Sequence, residues 1–135
     1  MYARTATLAD FNGMVALWKA AGLRFRVEPV AEELATVLEH DPDLVLVVED
    51  GGSIVASVLG TWDGRRGWVN RLATHPGHRG RGLARLLVTE LETRLRAKGC
   101  RKVNLLIEPD NAAVVTWYER LGYRREDLIF MDKFL

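Results

Sequence analysis

Apolar positions recur along this chain with two different periods, and the switches between them lay out its elements. Arg4–Leu8 reads as a short first strand. Ala9–Ala21 sets Phe11, Val15 and Trp18 on one helical face, and Gly22 supplies a stop. Pro29 suits the first turn of a second helix that turns Val30, Leu34, Val37 and Leu38 inward, and Asp41-Pro42 ends it. Leu44–Val48 is a strand rich in β-branched residues. Glu49-Asp50-Gly51-Gly52 then makes a hairpin turn into a returning strand, Ser53–Thr61. Asp63-Gly64 turns the chain again into a fourth strand, Trp68–Thr74. A loop over Pro76–Gly82 leads to a helix over Leu83–Lys98, with Leu83, Leu87, Leu91 and Leu95 along one side and Gly99 at its end. Val103–Ile107 predicts a strand, Asn111–Leu121 a helix and Asp127–Phe134 a last strand. Hairpins join the middle strands, and the later strands alternate with helices. The pattern predicts an α/β fold, a mixed and mostly antiparallel central sheet with helices on both faces.

Composition narrows the function classes. The chain's 135 residues fit one domain, and 48% hydrophobic residues suffice for an ordinary core. Nineteen Lys and Arg against 18 Asp and Glu leave a net charge of +1, which argues against a general nucleic-acid surface. Arginines nevertheless gather at 65–66, 79–85 and 124–125. No apolar run approaches the length of a membrane span, and Met1–Thr5 leads into mixed sequence without the apolar stretch of a secretory leader. A lone cysteine, Cys100, makes no internal disulfide, which suits a reducing cytoplasm. Cytoplasmic location is the expectation.

The most informative stretch is His75-Pro76-Gly77-His78-Arg79-Gly80-Arg81-Gly82-Leu83-Ala84, between a predicted strand and a helix. A helix begins with unbonded N–H groups and a partial positive charge, so it receives anions. Gly80 and Gly82 let a ligand approach the backbone, and Arg79 and Arg81 add charge. A pyrophosphate fits these features. The plainer alternative is a surface turn carrying solvated arginines. Neither the GxxxxGK[ST] loop of nucleotide hydrolases nor the GxGxxG dinucleotide loop is present.

Arg79-Gly80-Arg81-Gly82-Leu83-Ala84 resembles the R/Q-x-x-G-x-G/A motif of the GNAT superfamily of acyl-CoA-dependent N-acetyltransferases. Downstream, Asn111 through Tyr123 resembles that family's N-x-x-A-x-x-x-Y-E-x-x-G-F/Y segment, with Val114 where alanine is common. The compact length is similar to that of the small bacterial RimI- and YpeA-like members. The resemblance implies acetyl-CoA as co-substrate, with no metal. It implies that the backbone of Arg79, Gly80, Arg81, Gly82, Leu83 and Ala84 holds the pyrophosphate. Leu72, Ala73 and Thr74 would bind the pantetheine arm through their main chain, on a strand that splays from Val103–Ile107. Asn111 would contact the cofactor arm or cap its own helix. Tyr118 would protonate or hydrogen-bond the departing thiolate. A phenol of pKa about 10 faces a thiol of about 8.5 in that step. Seven positions separate Tyr118 from Asn111 in the sequence, two helical turns or roughly 10 Å, which puts both on one side. The alternative for Tyr118 is a core tyrosine.

The acceptor side is less determined. The resemblance points to Arg24, Phe25, Arg26 and Asn70, and the turn at Trp62, Asp63, Arg65 and Arg66 is a further candidate border. These arginines suggest an acceptor with a negative group near its amine. No Asp or Glu lies in Trp68–His75 or Val103–Ile107, and Leu106 stands where RimI-like enzymes carry a glutamate, so the general base is unassigned. Cys100 reads as core packing, and His75 and His78 are too few for a metal site. Two other functions stay open beside an acetyltransferase of small-molecule or protein amines, acting as monomer or homodimer. One is a non-catalytic acyl-CoA-binding module, and the other a toxin acetylating aminoacyl-tRNA.

Overall fold

A computed structural model describes residues 1–25 and 27–135 of the chain, which divides into two compact units, Met1–Leu105 and Leu106–Leu135. The first unit is built on a five-stranded sheet in the order β1-β2-β3-β4-β5. Its strands are β1 (Arg4–Thr5), β2 (Val45–Asp50), β3 (Ser53–Trp62), β4 (Gly67–Thr74) and β5 (Val103–Leu105). The first four pair antiparallel in sequence order, and β4 pairs with β5 in parallel. The helices of this unit are α1 (Phe11–Ala20), α2 (Val27–His40) and α3 (Leu83–Ala97).

β2 shows why the sheet is covered on both faces. Successive side chains of a strand point to opposite faces. Leu44, Leu46 and Val48 join a core with Leu83, Leu87, Leu91 and Leu95 of α3. Val45 and Val47 join a second core with Met14, Leu17 and Trp18 of α1 and Val30 and Leu34 of α2. All five β2-side residues from Leu44 to Val48 are fully buried. An unbroken apolar run is what a strand between two helical layers requires.

Close approach fixes one position. A Cβ on Gly60 would lie 2.3 Å from Leu91 Cδ1 and 2.8 Å from the Leu44 carbonyl, so β3 needs glycine where α3 crosses it. Buried polar groups are matched as well. Trp18 Nε1 donates to Ser57 Oγ at 2.9 Å. Arg4 bonds Asp10 at 2.8 and 2.9 Å and also Glu49, holding the Asp10 carboxyl below its ordinary range. Cys100 is buried and its Sγ donates to the Lys102 carbonyl at 3.3 Å, in keeping with a packing role.

The second unit contains a 3₁₀ turn, Pro109–Asn111, and a helix, α4 (Ala112–Arg120). Three sequence expectations need correction. The first strand ends at Thr5, because Thr7 and Asp10 form a capping box that starts a 3₁₀ turn at Leu8. β5 stops at Leu105, two residues short of the predicted end, and Leu106 is exposed. Asp127–Phe134 forms no strand. Leu128, Ile129, Phe130 and Met131 are exposed, and an apolar run becomes a strand only where a ladder partner satisfies its backbone.

Candidate active site

The chain leaves β4 at Thr74 and reaches α3 through a loop whose shape its residues dictate. His75 N bonds the Val55 carbonyl at 2.8 Å, and its Nδ1 accepts from Gly77 N at 3.0 Å. His78 Nε2 lies 3.0 Å from Asp50 Oδ2, tying the loop to the β2–β3 hairpin. Gly80 and Gly82 take left-handed backbones, φ 80° and 75°, which side chains rarely adopt. Gly82 is the N-cap of α3 and provides no side-chain cap, and the first turn carries no acidic residue. The amides at the start of α3 are therefore left to an outside acceptor, with exposed Arg79, Arg81 and Arg85 around them. Leu83 is buried and anchors the helix start, while Ala84 is half-buried.

β4 itself is irregular where the pantetheine-binding residues were expected. Ser57 pairs with Ala73 and Leu59 with Asn70, so Arg71 and Leu72 together oppose Val58 in a β-bulge. On its other side β4 pairs with β5 only at Gly67–Val103, Trp68–Asn104 and Val69–Leu105. Among the described residues, the edge of β4 from Asn70 to Thr74 has no ladder partner on that side. An extended amide-bearing ligand can add to such an edge by main-chain hydrogen bonds. Leu72, Ala73 and Thr74 lie on this unpaired length of β4, which runs into the loop.

Asn111 precedes α4 as its N-cap, closing the 3₁₀ turn, and its side chain makes no cap hydrogen bond. Tyr118 is the buried residue of α4, with Trp117 and Tyr123 edge-on at 4.9 and 5.4 Å. Burial pushes its phenol up to about 12, so it remains a hydrogen-bond donor at every physiological pH.

The acceptor residues fall into separate places. Phe25 stacks edge-on against Trp18 at 5.5 Å in the connection after α1, Arg24 is exposed beside it, and Arg26 lies outside the described residues. Asn70 is exposed on β4. Arg65 and Arg66 belong to the β3–β4 turn, where Asp63 Oδ1 accepts both their amides at 2.8 and 2.7 Å. Sequence reasoning missed Arg71, whose guanidinium lies 5.0 Å from the Trp18 ring centre and 5.6 Å from that of Phe25. A signal was present. Val69 and Leu72 share the α3 face at a spacing of three, which an unbulged strand does not allow.

Residues 13–123 match the model of the acetyltransferase (GNAT) family. An acetyltransferase of Sodalis glossinidius is 40% identical over 122 residues, 90% of this chain and 86% of that protein. An aminoglycoside 6′-N-acetyltransferase from Acinetobacter haemolyticus superimposes with a TM-score of 0.82 at 18% identity, over 100% of this chain and 99% of its own. The PaiA N-acetyltransferase from Thermoplasma acidophilum, solved in complex with coenzyme A, superimposes at 0.81 with 15% identity, over 94% and 91%. Among the described residues no helix is long and apolar enough to cross a membrane.

Proposed function

The chain belongs to the acetyltransferase (GNAT) family and is an acetyl-CoA-dependent N-acetyltransferase, and within that activity we propose direct attack by a primary amine of a small molecule or protein on the bound thioester. The observation that carries this reading is the β4–β5 ladder, which stops at Val69–Leu105 while β4 continues through Thr74 into the uncapped start of α3. In this proposal residues 1–135 act as one cytoplasmic catalytic domain. The main chain of Leu72, Ala73 and Thr74 takes the amides of the pantetheine arm. The backbone from Arg79 to Ala84 takes the pyrophosphate, and the loop arginines offset its charge. The C-terminal motif assigns Asn111 to the cofactor arm and Tyr118 to the leaving sulfur. The amine loses its proton through water, since β4 and β5 carry no carboxylate.

The sulfur step has a direction. A phenol of about 12 lies well above a thiol of about 8.5, so Tyr118 stabilises the thiolate by donating a hydrogen bond, with full proton transfer uphill. The test begins with the donor. Acetyl-CoA at 100 times its dissociation constant should stabilise the fold by about 2.7 kcal/mol in a thermal melt. Gly82→Asp sets a carboxylate where the phosphate sits and forces a left-handed backbone on a residue other than glycine, so the shift should vanish. Normal binding by that variant would remove the loop from the site.

A further inference from the structure

Arg71 has the only left-handed backbone outside glycine among the described residues, φ 48°, in the middle of a strand. Such strain persists only where its surroundings impose it. Here the imposing groups are buried. Ser57 Oγ, itself fixed by Trp18 Nε1, donates to the Arg71 carbonyl at 3.3 Å. The same Trp18, with Phe25, supports the guanidinium from the rings.

The guanidinium is positioned without being satisfied. Arg4 and Arg94 are the useful comparison, with side chains 30% and 25% exposed against 23% for Arg71. Arg4 donates to Asp10, Glu49 and the Thr5 carbonyl. Arg94 donates to Glu90, Thr5 Oγ1 and the Asp43 carbonyl. Arg71 donates no hydrogen bond among the described residues. Its carboxylate neighbour there is Glu33 of α2, 4.0 Å away and 64% exposed. Its N–H donors make no hydrogen bond to these residues and remain within reach of solvent, so an incoming acceptor would find them available.

We propose that Arg71 is the specificity residue for the acceptor, and that its planar fork receives the carboxylate of a small amine of amino-acid or short-peptide type. The inference rests on reading the open edge of β4 as the acetyl-CoA site, because Arg71 directly precedes Leu72 on that edge. Trp18 and Phe25, whose rings stand at 80° to each other, hold the guanidinium by cation–π contact and take none of its N–H donors, which leaves its fork for a two-oxygen partner. One cation with Glu33 nearby suits a monoanion better than a phosphate dianion. Burial lowers the Arg71 pKa, and a guanidinium still stays charged at neutral pH.

Thiol release from acetyl-CoA tests this with matched pairs, each amino acid or dipeptide beside its C-terminal amide, together with spermidine and an aminoglycoside. The acids should exceed their amides in kcat/KM by about tenfold or more. Arg71→Met should raise KM for the acids about 10- to 100-fold and erase the preference, with the melt shift by acetyl-CoA retained. Glu33→Gln removes the competing carboxylate at an exposed position and should lower KM for the acids. That variant and the wild-type ratio decide the matter even if Arg71→Met fails to fold. Amides used as well as acids, turnover of spermidine or the aminoglycoside alone, no turnover of any member, or an unchanged preference in a folded Arg71→Met would each overturn the assignment. Absence of any melt shift with acetyl-CoA would instead overturn the reading of the donor site.

Discussion

Tyr118→Phe removes a single hydroxyl and keeps the ring that packs against Trp117 and Tyr123. A hydrogen bond to a developing thiolate belongs to the transition state, so the loss should fall on kcat and leave KM for acetyl-CoA nearly unchanged. The expected loss is about 10²-fold, the low end for general acid catalysis, because the raised phenol is a reluctant acid. Full activity would return Tyr118 to a packing role. The same burial predicts an alkaline signature. The folded phenol titrates near 12 and the unfolded one near 10. The unfolded chain therefore sheds its proton first, and the stability present below pH 10 should fall between pH 10 and 12. Tyr118→Phe should flatten that part of the denaturation profile. Ser57→Ala is the matching core test. It strands Trp18 Nε1 and frees the Arg71 carbonyl, and urea titration should show a loss of about 1–3 kcal/mol.

The elements differ in how far the sequence alone announces them. α3 is plain, since Leu83, Leu87, Leu91 and Leu95 repeat at helical spacing and all four are buried. The loop over Pro76–Gly82 is equally plain, because its glycines and arginines lie in consecutive residues. What stays hidden depends on pairing between distant segments. The end of β5 at Leu105 coincides with the last rung of its ladder to β4, Val69–Leu105, and nothing within Val103–Ile107 records it. Asp127–Phe134 has strand composition and no ladder. Arg71 looks like one more polar strand residue until Trp18, Phe25 and Ser57 come together around it. Packing at this scale makes a further prediction. Gly60→Ala drives a methyl into Leu91 and the Leu44 carbonyl, and the carbonyl has no room to yield. The variant should lose about 1–3 kcal/mol by denaturant titration.

Across the whole molecule, charge does little to keep copies apart. A net +1 and an isoelectric point near 7.9 leave weak mutual repulsion at neutral pH. The unpartnered length of β4 acquires a second meaning in that setting. A strand edge with unpaired amides is a template for another strand, in the same family of contacts that seeds aggregation. The coenzyme, lying along Leu72–Thr74 in the proposed complex, would shield that part of the template as a neighbouring strand would. Static light scattering of the protein freed of coenzyme should therefore rise with concentration, most steeply near pH 7.9, and addition of coenzyme A should suppress the rise. In a crowded cell, acetyl-CoA would then act on this protein as a solubility factor, and scarcity of the donor would reduce the amount of dispersed enzyme along with its turnover.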